Sequence, residues 1–409
     1  MIHAVFVVPI YSPAASQMIE AAVSFPDRAR IAVIAQQPDA MLDAKLRARV
    51  ACQVQVNDIT DVAQLEKAVR HIAVTVMDGR IDRCFAAYEQ AQLPVAVVRE
   101  RFGIHGMSSQ AAQRFRNKAL MKDTLRAAGV PVARHAMIAT RQDAQEFAER
   151  VGFPLVMKPP AGAGAKSTFR ISSQSELQAL FDEISPSASE PLLAEEFLRG
   201  REFSLETISI GGRAVWHSLT SYAPSPLEVV ENPWIQWTVV LPREVDSPAF
   251  RDIRAIGAKA LGALGMETGV SHCEWFRRDD GSIVISEIAA RPPGAQITTM
   301  ISRANDIDFV RAWMALMLFG EFELPRRKYA VGTAFLRGQG IGTVRRVDGL
   351  DVIQREMGHL ICDARIPAIG HASTGSYEGD GFVMVRHADT AVVEESVRRI
   401  VDTVRVHLA

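Results

Sequence analysis

The sequence predicts a chain of mixed α/β and α+β class: a parallel βαβ domain at residues 1–105, a larger region at 106–325, and a small C-terminal α+β domain at 326–409. Three observations carry that reading. Short apolar runs alternate with helical stretches up to about residue 105, the rhythm of a parallel sheet covered on both faces. Tight turns at Gly211-Gly212 and Asp280-Gly281 join pairs of strand-like runs into antiparallel hairpins. Pro325-Arg326-Arg327-Lys328 marks a boundary ahead of the last stretch, which ends in a helical pattern, Ala391–His407.

In the first region strands are expected at Ala4–Val8, Ile31–Ala35, Val54–Val56, Cys84–Ala87 and Val95–Val98, with helices near Ala14–Ala22, Asp43–Ala48, Val62–Val76 and Glu89–Gln92. There is no GxGxxG, so it is not read as a dinucleotide site. One polar helix starts near Ser109, carries Asn117-Lys118 and ends at Ala127-Ala128-Gly129 ahead of Val130-Pro131, with glycine at the cap and proline just beyond. Strand Ala136–Ile138, helix Arg141–Val151 and a strand closing on Lys158 follow, then a small-residue loop, Gly162–Ser167. Helix Gln174–Glu183, strand Leu192–Phe197, hairpin Phe203–Ile210/Ala214–Leu219 and helix Ala249–Leu264 lead to a second hairpin, Val270–Phe276/Ile283–Ala289, and an apolar helix, Phe309–Phe319. Residues 222–247 resist assignment.

Bulk properties narrow the function. At 409 residues the chain exceeds a single core and implies two to four domains. Apolar content of 48% with 23% charged residues is ordinary for a soluble protein. A net charge of −1, from 46 basic and 47 acidic residues, leaves no electrostatic footprint for nucleic acid. Cys52, Cys84, Cys273 and Cys362 are widely spaced, neither a disulfide framework nor a zinc set, which fits a reducing, cytoplasmic setting. The N-terminus lacks a basic leader, and no apolar run approaches bilayer length, so no membrane is expected as a partner.

The second hairpin carries the chemistry. A two-residue turn at Asp280-Gly281 sets Glu274 opposite Glu287 on one face, with Cβ atoms roughly 5 Å apart. Like charges there destabilise a sheet, and a bound cation reverses the sign; Mg²⁺ held together with nucleotide phosphates suits so few ligands. The same register puts His272, Ala289 and Arg291 on that face. A solvated hairpin with two unrelated glutamates is the other reading, and a loop one residue longer on one side would part them.

Other segments are individually open. Lys158 closes a buried strand and needs a partner, for which a phosphate serves; a snorkelling lysine is the alternative. Gly162, Gly164, Lys166 and Ser167 could bring backbone N–H groups to a phosphate, or form a plain loop. Glu195, Phe197 and Leu198 end a strand whose edge could pair with an adenine ring, while Glu202 could meet ribose hydroxyls; solvated carboxylates account for them equally. Lys118 taken alone reads as a solvated helix lysine. Trp234, Trp237 and Tyr222 could line an acyl pocket, or be core or dimer contact.

In order along the chain, these pieces resemble the ATP-grasp superfamily of carboxylate–amine ligases over about residues 110–320: Asn117-Lys118, Lys158, the small-residue loop, Glu195-Glu196-Phe197-Leu198, Gly200-Arg201-Glu202-Phe203, then Glu274 and Glu287 with Arg291. The segments Gly269–Glu274 and Glu287–Gly294 are most similar to L-amino acid ligases that form dipeptides. The resemblance implies an ATP-grasp architecture with its lid at about 130–200, ATP and Mg²⁺ as cofactors, and small-molecule carboxylate and amine substrates, with amino acids the class expected. Lys118 and Lys158 would contact phosphates, Gly162–Ser167 would close over them, and Glu195, Phe197, Leu198 and Glu202 would hold the nucleoside. Glu274 and Glu287 would carry the metal, and Arg291 would hold the acyl phosphate or carboxylate; His272, from its place on the hairpin face, would orient substrate or accept a proton, or else be a packed structural histidine. Dimers are common in that family, though no interface is readable here. Departures are Ala289, where an asparagine is frequent, and Ala165 and Ser167 in the loop. A carboxylase acting through carboxyphosphate, and a nucleotide-binding subunit without turnover, remain as other readings.

Overall fold

The computed structural model describes residues 1–161, 168–232 and 235–409. Strands β1 (Ile2–Val7), β2 (Ala29–Ala35), β3 (Cys52–Gln55) and β4 (Arg83–Ala86) form a parallel sheet in the order β3-β2-β1-β4. Ala4, Val5 and Phe6 are fully buried, as expected of a strand covered on both faces. Helices α1 (Pro13–Ala22), α2 (Ala44–Arg47), α3 (Val62–Val76) and α4 (Glu89–Phe102) cover it. The run Val95–Val98, expected as a strand, lies inside α4, and Pro94 does not end that helix. Val95, Ala96 and Val98 are all buried, and a short apolar run suits a buried helix as well as a strand.

The single helix expected from Ser109 is two, α5 (Ser109–Arg116) and α6 (Lys118–Ala127). Asn117 divides them: its side chain accepts from Leu120 N and caps α6. Short amide side chains bond the backbone at helix starts better than they propagate a helix. The cap sets Lys118 and Lys122, one turn apart, on one face of α6. Strands β5 (His135–Ile138), β6 (Leu155–Lys158), β7 (Phe169–Ile171) and β8 (Leu192–Glu196) form an antiparallel sheet, β5-β8-β6-β7, that shares one apolar core with α7 (Arg141–Val151) and α8 (Gln174–Glu183).

The central sheet has eight antiparallel strands. Its members are β9 (Arg201–Ile210), β10 (Arg213–Ala223), β11 (Trp237–Leu241), β12 (Gly269–Arg277), β13 (Ile283–Ala289), β14 (Ala330–Leu336), β16 (Ile361–Arg365) and β17 (Gly381–His387), with β15 (Val344–Asp348) apart from it. The order is β13-β12-β9-β10-β11-β14-β17-β16, so strands after the Pro325–Lys328 segment continue the sheet rather than start another. Side chains alternate faces. Phe203, Leu205, Cys273 and Trp275 pack with Ile253, Leu261 and Leu264 of α10 (Arg251–Leu264), the helix that follows α9 (Pro226–Glu231). The opposite face of the same strands carries Glu202, Ser204, Glu206, His272 and Glu274.

Helices α11 (Ile297–Asn305) and α12 (Phe309–Phe319) join this sheet to the first one; Trp313 lies 6.4 Å from the rings of both Phe6 and Phe85. At the C-terminus α13 (Leu350–Met357) and α14 (Thr390–Thr403) pack on β14–β17. The helix expected to reach His407 stops at Thr403, and β18 (Arg405–Leu408) pairs with β15. Arg-Val-His-Leu alternates with period two, with Val406 buried and Arg405 and His407 exposed.

Candidate active site

Glu274 and Glu287 are direct partners across β12 and β13, and His272 faces Ala289. The register is reached by a route the sequence did not announce. Arg278 N donates to Ser282 O, Gly281 N donates to Arg278 O, and Gly281 has φ 81°, a three-residue loop closed by a left-handed glycine. That loop alone would slip the pairing by one residue and separate the glutamates. Ser286, unpaired between Ile285 and Glu287, forms a bulge that restores it. The bulge also turns the Ser286 carbonyl to accept from Lys122 Nζ.

Around this hairpin the lysines and carboxylates are already paired. Lys118 Nζ lies 2.8 Å from Glu287 Oε1. Lys158, last residue of β6, places Nζ 3.0 Å from Glu195 Oε2, and Lys122 Nζ is 3.2 Å from Glu195 Oε1. Lys118, Lys122 and Glu195 are 6%, 0% and 4% exposed, so these charges are held by each other rather than by water. Burial opposes the charge of Glu195, yet Lys122 and Lys158 hold its carboxyl down to about 2. Burial lowers the pKa of Lys122; for Lys158 the attraction of Glu195 and Glu287 outweighs burial and raises it.

Glu206 accepts from Ser204 Oγ, from Thr220 Oγ1 at 3.0 Å, and meets His272 Nδ1 at 2.9 Å. The other ring nitrogen of His272 is 3.5 Å from Glu274 Oε1. Burial alone would lower the pKa of His272; the two carboxylates raise it to about 9. Glu274 moves down, burial being outweighed by His272 and the lysines. Glu202 moves well up, from burial first and Glu274 second. Arg291, just past β13, sets Nε 3.4 Å from Glu89 Oε2, a carboxylate of the N-terminal region that also bonds Arg116 at 2.8 Å.

Lys118, Lys158, Glu195, His272, Glu274, Glu287 and Arg291 wall a cavity of about 1130 Å³, which Glu202, Phe197, Leu198, Tyr222, Trp237, Tyr377 and Glu378 also line. Phe197 N–H donates to Pro154 O, whereas Leu198 N–H has no backbone acceptor among the described residues. The Glu195 carboxylate is engaged by two lysines. Trp237 is mostly core, stacked 4.9 Å from Phe335, while Tyr222 faces the cavity. Gly162, Gly164, Lys166, Ser167 and Trp234 lie outside the described residues. Sequence reasoning missed Lys122, Glu206, Tyr377 and Glu378. Two signals were present: Lys122 stands four residues after Lys118, and Glu202, Ser204 and Glu206 share one strand face.

Residues 123–305 match the family model of the ATP-grasp domain. This chain carries an ATP-grasp domain. The fold agrees beyond the matched segment. The L-amino acid ligase from Bacillus licheniformis superposes with a TM-score of 0.77 at 19% identity, over 100% of this chain and 99% of that one. N5-carboxyaminoimidazole ribonucleotide synthetase from Thermotoga maritima superposes with a TM-score of 0.70 at 16% identity, over 100% of both chains. By sequence, the L-arginine-specific L-amino acid ligase of Bacillus subtilis is 27% identical over 258 residues, 62% of this chain and 60% of that protein. Alanine–anticapsin ligase of Bacillus subtilis is 26% identical over 288 residues, 64% of this chain and 59% of the relative. The chain thus spans about three fifths of the length of these curated relatives. Structures sharing the ATP-grasp fold have been solved with ATP and with ADP. Among the described residues no helix is long and apolar enough to cross a membrane.

Proposed function

We propose that this chain is an ATP-dependent ligase that joins a carboxylate to an amine, with amino acids as the substrate class, through an acyl phosphate and with release of ADP and phosphate. The observation that carries the reading is the single cavity onto which Lys118, Lys158, Glu274, Glu287 and Arg291 all open. Three cationic side chains and two facing carboxylates suit a polyphosphate with a divalent cation.

Among the described residues no group of three His, Cys, Asp or Glu side chains could hold a metal by itself. Two glutamates, with Ala289 contributing no oxygen, therefore fit Mg²⁺ that takes its remaining ligands from phosphate and water. When bound, that ion would neutralise charge on the transferring phosphoryl group. The protein's part is positioning and charge. Lys118 and Lys158 hold phosphate oxygens. Glu195 and Lys122 fix Lys158. The Leu198 N–H meets the base edge, and Glu202 the ribose. Arg291, oriented by Glu89, holds the substrate carboxylate in line with the γ-phosphate. An oxygen of that carboxylate bonds the γ-phosphorus as the bond to ADP breaks. The amine then attacks the acyl carbon, phosphate departs, and the amine's proton leaves with solvent or a nearby base.

The test is phosphate release with amino acids singly and in pairs, with products identified by mass. Release that depends on a pair supports the ligase. A second reading, carboxylation through carboxyphosphate, is favoured by sequence likeness to the N5-carboxyaminoimidazole ribonucleotide synthase of Vibrio vulnificus, 27% identical over 232 residues, which are 56% of this chain and 57% of that protein. Bicarbonate-dependent ADP release without an amino-acid requirement would select it.

A further inference from the structure

A second, smaller cavity of about 190 Å³ lies where the N-terminal sheet meets the central one, between β4, α12 and the segment Ala290–Pro292. Its basic lining groups are Arg83, Arg99, His105 and Arg291, and no aspartate or glutamate lines it among the described residues. Two of the four are satisfied. Arg291 meets Glu89, and His105 meets Glu267 at 2.8 Å. Arg83 and Arg99 make no ion pair among the described residues.

Arg99 is only 5% exposed. Its two terminal nitrogens donate to the carbonyls of Cys84 and Met107, and its Nε has no hydrogen-bond partner among the described residues. Gly106 leaves room for it: a Cβ there would stand 2.9 Å from that Nε. Glu267 and Glu100 attract this guanidinium without forming an ion pair with it among the described residues, and an anion in direct contact would stabilise it further. Much of the rest of the wall is apolar, with Phe85, Met266, Trp313, Leu316 and Met317, while Gln92 and Thr268 add polar groups. A cavity somewhat smaller, near 150 Å³, holds benzene in another protein, so the space suits a small organic molecule rather than a bare ion.

We propose that this cavity is a binding site for a small carboxylate with an apolar body, its charge facing Arg99 and Arg83 and its hydrocarbon lying among Phe85, Trp313 and Met317. A carboxylate presents a flat pair of oxygens that matches guanidinium donors. A phosphate dianion would lose more hydration than this mixed wall, with its large apolar share, returns. The inference does not rest on the ligase reading, because binding can be read without nucleotide. Such an acid could be a substrate or an effector, and Arg291, which walls both cavities, would connect the site to the larger one.

Isothermal calorimetry on the full chain, without ATP, tests it with 3-methylbutanoate and phenylacetate as probes, their neutral amides as controls, and inorganic phosphate as a competing anion. The expected result is saturable binding of at least one acid and none of its amide. Arg83→Met, which removes an exposed-side charge while leaving the Arg99 carbonyl bonds in place, should weaken it by about tenfold or more. Met317→Trp, which fills the cavity, should abolish it. Failure of both acids to bind, equal binding of acid and amide, a response to phosphate alone, or affinities unchanged in both variants overturns the proposal. In phosphate-release assays with ATP, consumption of the bound acid identifies it as substrate, and a change in rate without consumption identifies an effector; either supports the site.

Discussion

Glu195 sits within 3.2 Å of two lysine ammonium groups and is almost without solvent. Its pKa, near 2 in the fold, lies below that of a glutamate in an unfolded chain, about 4.3. A lowered carboxyl pKa adds stability above the unfolded value, and that stability disappears as pH falls from about 4.3 towards 2. Glu195→Gln should therefore flatten the acid limb of the stability curve, and at pH 7 it should lose about 3–5 kcal/mol, because two lysines stay buried without their partner. Urea unfolding at pH 7 and pH 3 reads both effects. Glu287→Gln keeps the strand and its shape; it should lower ADP formation by about 10²–10³-fold or more, while far-UV circular dichroism stays that of the parent. Turnover at the parent rate would remove the metal assignment. At this scale Lys158 and the glutamate pair were legible because a charge on an apolar strand demands a partner. Lys122 was not, since a lysine on a polar helix looks solvated until β8 and the Ser286 bulge close over it.

The hairpin teaches the same point for elements. The facing of Glu274 and Glu287 was legible in the sequence, yet the loop is one residue longer than the turn that suggested it, and the bulge compensates. Pattern reports which face is buried; it does not report how the chain reaches that register. The same limit explains Val95–Val98, whose apolarity was legible and whose helical state was not. Gly200 gives a local prediction. Its φ is 137°, and a Cβ there would lie 2.3 Å from the Arg277 carbonyl, a backbone atom that cannot swing aside. Gly200→Ala should destabilise the chain by about 2 kcal/mol or more and raise the KM for ATP, because the same turn sets Leu198 against Glu202. Thermal unfolding and steady-state kinetics check the two parts.

On the scale of the whole molecule, the N-terminal and central sheets share one apolar cluster through Phe6, Phe85 and Trp313, and the strands beyond residue 325 complete the central sheet. The boundary expected at Pro325–Lys328 is a break in local pattern, and local pattern carries no information about which distant strand a later one will pair with. A chain ending at residue 325 should lose the cooperative unfolding of the full protein, because β11 would become a bare edge of buried residues. Scanning calorimetry and size-exclusion chromatography test this; a sharp transition with a monomeric elution volume would show that the last stretch is dispensable for folding.

The contact between Lys118 and Glu287 has a thermodynamic consequence for loading the larger cavity. In this structure the two form an ion pair at 2.8 Å. On the proposed function, a nucleotide phosphate would draw the ammonium away from Glu287, and a divalent cation would draw the carboxylate away from Lys118. Arriving together, the two ligands would replace the contact that each breaks, phosphate taking the ammonium and cation the carboxylate. Nucleotide affinity should then climb with cation concentration, and cation affinity with nucleotide, by one common factor.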